Sequence, residues 1–256
     1  MKITSYNVNG IRAVVKKGFA EWLKAESPDI LCLQEIKADA GQFPDVLFGM
    51  GYEWFIHPAQ KKGYSGVAIA VKGMPDKAFV GTGIDWIDAE GRVITVEHRG
   101  LRVVSVYFPS GTTGEERQAV KYRFLDAIRG WMDALTADGM PTLFCGDVNI
   151  AHTAIDIHDP VSNKKTSGFL PEERAWMDRL FEAGYEDIFR AKHPGEKHLY
   201  SWWTVRAKAK ANNKGWRIDY QIGTKGLAEK AKEARITREL DFSDHVPVTV
   251  EFVVGG

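Results

Sequence analysis

Pro141-Thr-Leu-Phe-Cys-Gly-Asp-Val-Asn149 is an apolar run that stops at Gly146 and delivers a carboxylate, Asp147, and an amide, Asn149. Residues 142–145 are too few for a helix and stand between a Pro and a Gly, so they read as a strand buried on both faces. If the chain stays extended past Gly146, Asp147 and Asn149 point the same way, and the pair can hold and activate a water. Gly-Asp-x-Asn is also ordinary turn chemistry. The rest of the chain has to decide between the two.

Outward from this run, other strands end in polar groups. Lys2-Ile-Thr-Ser-Tyr-Asn7 alternates as a strand does and stops at Asn7 before Val8-Asn9-Gly10 turns away. Residues 16–26 place Phe19, Trp22 and Leu23 at helical spacing, an amphipathic helix ended by Ser27-Pro28. Asp29-Ile-Leu-Cys-Leu-Gln-Glu35 is a second apolar strand running into Gln34 and Glu35. Strand, helix, strand predicts a layered α/β build.

The middle is strand-rich: Tyr52–His57, Gly66–Val71, Ala78–Gly81, Arg92–His98 and Leu101–Phe108, with Arg99-Gly100 as a tight-hairpin signal and Tyr107 near the end of the last. A long helix is expected over 115–135, with Val120, Phe124, Leu125, Ile128, Trp131 and Leu135 facing the sheet. Ala151 to Ser167 is a long polar segment containing His152, Asp156, His158, Asp159 and Asn163; its spacing fits no zinc pattern. Pro171 opens a further helix. Aromatic Trp202, Trp203 and Trp216 bracket a basic loop, Arg206–Asn213, a combination suited to nucleic acid, although composition alone favours a buried core with a solvated loop. Arg217–Ile222 is a strand carrying Asp219, and Asp244-His245 leads into the strand Val246–Val253.

The chain has 256 residues, 44% of them hydrophobic, with no linker or low-complexity block, so one domain with a substantial core is expected. Formal net charge is zero, so any case for a polyanion partner rests on local clustering. Cys32 and Cys145 lie inside apolar runs and read as buried thiols, compatible with a reducing compartment. No signal segment or membrane-length apolar run is found, which points to a cytoplasmic protein without a membrane partner.

Eight stretches taken in order resemble the exonuclease III family of AP endonucleases, in the endonuclease/exonuclease/phosphatase superfamily that includes deoxyribonuclease I. They are Asn7-Val-Asn-Gly-Ile-Arg12, Leu33-Gln-Glu-Ile-Lys37, Gly63-Tyr-Ser-Gly-Val67, Tyr107-Phe-Pro109, Cys145-Gly-Asp-Val-Asn-Ile-Ala-His152, Gly168-Phe-Leu-Pro-Glu-Glu-Arg174, Gly215-Trp-Arg-Ile-Asp-Tyr220 and Ser243-Asp-His245. The resemblance implies an α/β four-layer sandwich, two face-to-face mixed β-sheets flanked by helices. It implies Mg²⁺, with Mn²⁺ as a possible substitute, at Glu35, with Asn7 and Asp244 close by. Asp147 would position and deprotonate water, Asn149 would fix Asp147 and the phosphate, and Asp219 would hold His245 against the phosphate. Tyr107 would bond the phosphate or the departing oxygen. Trp202, Trp216 and Ile218 would form a slot for a flipped-out abasic sugar. Arg12, Lys16, Lys17, Tyr64, Asn163 and Lys165 would contact DNA around the lesion.

Asn9 and Ser110 depart from residues common in the family. The implied partner is double-stranded DNA with abasic sites or damaged 3′ ends, acted on by a monomer. Two other readings remain: a DNA-binding relative without catalysis, which the complete polar set opposes, and a phosphatase or general nuclease of the same superfamily, which the Trp202/Trp216 pair opposes.

Overall fold

The structure, a computed structural model, describes residues 1–253. Among the described residues, twelve strands run in chain order: β1 (Lys2–Asn7), β2 (Ile30–Gln34), β3 (Tyr52–His57), β4 (Val67–Lys72), β5 (Lys77–Val80), β6 (Val93–His98), β7 (Leu101–Tyr107), β8 (Thr142–Asp147), β9 (Glu186–Asp187), β10 (Asp219–Gly223), β11 (Ala231–Ile236) and β12 (Val248–Phe252). The helices are α1 (Ile11–Val15), α2 (Phe19–Glu26), α3 (Asp85–Asp88), α4 (Glu115–Thr136), α5 (Pro171–Glu182), α6 (Ile188–Lys192) and α7 (Leu227–Lys230). The strands form two six-stranded mixed sheets, ordered β11-β12-β1-β2-β4-β3 and β5-β6-β7-β8-β10-β9.

Strand periodicity explains the layering. In β2, Ile30 and Cys32 join the core between the sheets, while Leu31 and Leu33 pack with Phe19 and Leu23 of α2. In β8, Leu143 and Cys145 face the other sheet, while Phe144 packs with Phe124, Ile128 and Met132 of α4 and with Met177 of α5. Side chains two apart share a face, so each strand feeds two cores at once. The result is helix, sheet, sheet, helix. Both cysteines are buried and unpaired.

The helix expected over 16–26 is α2 alone, which starts at Phe19 because Gly18, with φ +102°, stands as its N-cap; α1, Ile11–Val15, is a separate short helix before it that the periodicity did not mark. The buried stripe of α4 begins at Lys121, not Val120, and runs on through Phe124, Leu125, Ile128 and Met132. The Arg99-Gly100 link does close a hairpin: β6 and β7 pair antiparallel with His98 opposite Leu101. Among the described residues, no helix is long and apolar enough to cross a membrane.

Candidate active site

Toward one end of the sandwich, the face between the sheets changes from apolar to polar. Ile3, Ile30, Val103 and Leu143 lie in the shared core. One step on are Ser5, Gln34, Ser105 and Gln221, all buried: Gln34 Nε2 donates to Ser105 Oγ at 3.0 Å, joining the two sheets, and Gln221 Nε2 reaches across to the Val248 carbonyl at 2.8 Å. A further step brings Asn7, Tyr107, Asp147 and Asp219. Register fixes this row, because Asp147 stands opposite both Tyr107 of β7 and Asp219 of β10.

The first sheet reaches the second through Asn7. Its amide Nδ2 donates to Glu35 Oε1 and to Asp147 Oδ2, each at 2.9 Å. Glu35 lies just past β2 with φ +50°, and its loop is held by Gly10 N donating to the Glu35 carbonyl at 2.7 Å. Asn149 does not continue β8. It has φ +57°, and its N–H donates back to Asp147 Oδ1 at 2.8 Å. The turn and the cluster are thus one arrangement: an Asx-type turn, not extended spacing, brings the amide beside the carboxylate. Asn149 Nδ2 donates to the Phe108 carbonyl at 2.9 Å.

Asp219 anchors His245, its Oδ2 lying 2.9 Å from Nδ1, and Ser201 Oγ donates to the same oxygen at 2.6 Å. Burial works against a charged ring, but Asp219 and Asp147 outweigh it and raise His245 well above the ordinary imidazole value. Asp147 is buried, which raises its carboxyl above the usual range; His245 opposes this, and Asp219 and Glu35 reinforce it. Glu35 is held below the usual range in spite of burial, by the Lys37 ammonium 2.9 Å from Oε2 and by the Asn7 amide. Burial, with Glu35 and Asp147 nearby, keeps the Tyr107 hydroxyl protonated far past its ordinary value.

Glu35, Asp147 and His245 each offer an atom within 4.8 Å of the others, a group able to surround an ion. Nδ1 of His245 is taken by Asp219 and Nε2 faces the other two, so the group offers carboxylate oxygens and one ring nitrogen to a cation. Lys37 supports this, since its ammonium already bridges Glu35 and Asn9 Oδ1, a positive charge held where oxygens converge. Asp244 stands outside the trio. Its Oδ1 accepts from Asn9 Nδ2 at 2.9 Å and its Oδ2 from Trp202 Nε1 at 3.0 Å.

Beside these groups opens a cavity of about 250 Å³, walled by Trp202, Trp216, Ile218 and Gly168 and floored by Glu35, Tyr107, Asp147, Asn149 and His245. The two indoles are perpendicular, 6.0 Å apart. Backbone pairing explains why wall and floor meet: the segment at Trp202 bridges Trp216 on one side and His245 on the other. Trp203, one residue on, is buried in a separate core with Val246.

The outlying residues fall elsewhere. Arg12, Lys16 and Lys17 are exposed on and just after α1, and Lys17 is tied to the Phe242 carbonyl at 2.7 Å. Tyr64 has its hydroxyl held by Arg92 at 3.1 Å and by Arg117. Asn163 turns its amide into its own loop, donating to the His158 and Asp159 carbonyls, and does not line the cavity, where that loop presents Thr166 and Ser167. Lys37, Ser201 and Lys121 were not singled out from the sequence. Of these Lys121 had a signal: a charge at a position the apolar stripe of α4 should occupy.

The family model for the endonuclease/exonuclease/phosphatase family matches residues 4–245. An exodeoxyribonuclease of Bacillus subtilis is 41% identical, covering 97% of this chain and 98% of that protein. The DNA repair nuclease APEX1 of Danio rerio is 38% identical over 99% of this chain and 83% of its own length. Among solved structures, an AP endonuclease from Archaeoglobus fulgidus superposes with a TM-score of 0.91 at 30% identity, covering 99% of this chain and 100% of that one. With the polar row, the paired indoles and these full-length matches together, the chain belongs to the endonuclease/exonuclease/phosphatase family, in its branch of exodeoxyribonucleases and AP endonucleases.

Proposed function

We propose that the protein is a DNA-repair AP endonuclease that hydrolyses the phosphodiester 5′ to an abasic site, leaving a 3′-hydroxyl and a 5′-deoxyribose phosphate. The observation that carries this is the shared cavity: the Trp202/Trp216 slot opens directly onto Asp147, Asn149 and His245. Flat apolar walls suit a sugar without its base, and an intact nucleotide would not fit between them. Asp147 takes the proton of the attacking water. Protonated His245 and the Asn149 amide face the charge that builds on the phosphate. Tyr107, held as the neutral phenol, donates to the phosphate or the departing oxygen. Asp219 keeps His245 in place, and Asn7 aligns Glu35 with Asp147.

Glu35, with Asn7 and Asp244 nearby, would hold Mg²⁺, or Mn²⁺ in its place, which would supply charge neutralisation at the leaving 3′-oxygen. DNA would run over the exposed cations of α1 and the Arg206–Asn213 loop, which flank a groove of about 440 Å³ lined by Lys17, Lys208 and Asp244. Phosphodiester cleavage at a recessed or blocked 3′ end needs the same groups, so 3′→5′ exodeoxyribonuclease and 3′-phosphodiesterase activities belong to this reading. A related solved structure from Neisseria, 31% identical with a TM-score of 0.90, is a 3′ phosphatase bound to a product DNA hairpin. We take the protein to act as a monomer in the cytoplasm.

The test is product analysis in Mg²⁺ on a duplex with one abasic site, beside an undamaged duplex with a recessed 3′ end. Nicking on the 5′ side of the lesion is expected, and its loss in Asp147→Asn. No nicking, or equal nicking by that variant, rules the reading out.

A further inference from the structure

Lys121 of α4 and Glu173 of α5 meet with Nζ and Oε1 2.6 Å apart, and both side chains are 0% exposed. Neither lines the cavity. Burying a lone ion pair gains little stability over apolar packing, so the remaining contacts of the two groups are informative. The Lys121 ammonium also donates to the Asn149 carbonyl at 2.8 Å. The second oxygen of Glu173 accepts from Gly168 N at 2.6 Å and from Leu170 N at 3.0 Å. Gln118 Nε2 completes the first oxygen at 3.1 Å. Each partner thus meets the other once and, the Gln118 bond within the helix pair apart, directs its other bonds at the loops carrying Asn149 and Gly168.

Those loops converge on the site. Asn149 sits in the left-handed region, φ +57°, where the peptide that follows it needs an outside anchor. Gly168, φ +95°, packs so closely that an added Cβ would stand 2.9 Å from the Trp216 ring and 3.1 Å from the Asn149 carbonyl oxygen. Ala151 N donates to the Gly168 carbonyl at 2.8 Å, closing the two loops on each other.

We propose that Lys121 and Glu173 are positioning residues for the reaction, together setting the Asn149 peptide at the phosphate and the Gly168 backbone behind Trp216. This rests on Asn149 being a catalytic residue. Removing the pair should then lower turnover without removing DNA affinity, because neither group is placed to touch the duplex.

The experiment measures single-turnover nicking of an abasic duplex by full-length wild type, Lys121→Met/Glu173→Gln, Asn149→Ala and the triple variant, with thermal unfolding of each. We expect the paired variant to lose about tenfold or more in kcat, as small misplacements do, with KM changed less than about threefold. In the Asn149→Ala background the same pair of changes should cost less than about threefold, since residues acting as a unit are not additive. Wild-type kcat in the folded paired variant, or an undiminished loss without Asn149, overturns the proposal. An Asn149→Ala enzyme with wild-type turnover instead removes the catalytic reading of Asn149, and the proposal with it.

Should the paired variant not fold, Glu173→Gln alone decides. Glutamine has one oxygen where Glu173 uses two, so either the Lys121 link or the Gly168 link must break. A loss of about fivefold in kcat with KM kept is expected; unchanged kcat overturns the proposal.

Discussion

Asp219 grips the His245 ring from behind, its two oxygens 2.9 and 3.1 Å from Nδ1, while Nε2 on the far side of the ring points toward Asp147 Oδ2 at 3.8 Å. Asp219 on one side and Asp147 on the other favour the charged form of the ring over what burial alone would allow. Ser201 holds Asp219 in turn, donating to its Oδ2, so the imidazolium cannot swing away from the cavity. Asp219→Asn removes the charge that sustains it. A fall of about 10²-fold in single-turnover nicking is expected, the scale of a positioned proton-handling group. A wild-type rate would take the dyad out of the chemistry.

Asp156 is buried between Arg217 Nε at 2.7 Å and Arg190 Nη2 at 2.6 Å. Burial alone would raise its carboxyl; the two guanidiniums and Thr153 outweigh that and hold it far below the usual range. A depressed folded value contributes stability above the unfolded value of about 4, and that contribution is lost as pH falls toward the folded value. Asp156→Asn should cost about 3–5 kcal/mol near neutrality, as loss of one buried partner does. Urea midpoints for the two proteins should approach each other as pH falls below about 4. A gap independent of pH would show that the charge is not what the arginines hold.

Gly168 is where the slot meets the chemistry, so Gly168→Ala tests discrimination. An added methyl must displace the Trp216 ring or the Asn149 carbonyl, in a backbone that L-residues adopt at a cost. Nicking of abasic duplex should fall by about tenfold or more, and exonuclease action on undamaged ends should fall less if the indole moves and the peptide does not. Equal losses on both substrates would place the displacement at Asn149.

Arg12, Lys16, Lys164, Lys165, Arg206, Lys208 and Lys214 are exposed, on a chain of zero net charge, and are the cations the proposed duplex path would use. Affinity for duplex DNA should therefore fall steeply with salt, and Lys208→Ala should reduce the log–log slope by about one. The measurement is binding at several ionic strengths in the Asp147→Asn background, where nicking is expected to be lost. A flat dependence would mean that the duplex lies elsewhere.

The polar row was legible because strand alternation is a strong signal: Asn7, Tyr107 and Asp147 each end a run whose inward positions begin apolar, at Ile3, Leu101 and Leu143. The match of eight short motifs then joined strands far apart in the chain. Local backbone was less legible. Asn149 reaches Asp147 by a turn, and a dipeptide spacing does not distinguish a turn from an extended run. Tyr64 and Asn163 are polar loop residues whose partners, two arginines and two carbonyls, come from folding of those loops. The strand Ala231-Lys-Glu-Ala-Arg-Ile236 is composed of good helix formers; pairing with β12 at the sheet edge overrides that preference.

The polar row draws its members from both sheets, Asn7 and Glu35 from one and Tyr107, Asp147 and Asp219 from the other. The sandwich therefore behaves as the jaws of a caliper, with the spacing of the catalytic groups set by the thickness of the layer between. Cys32 and Cys145 are part of that layer and do not line the cavity. A methyl group gained or lost there would change the gap at the mouth, and the rate would register a change in the core that no residue at the site had undergone.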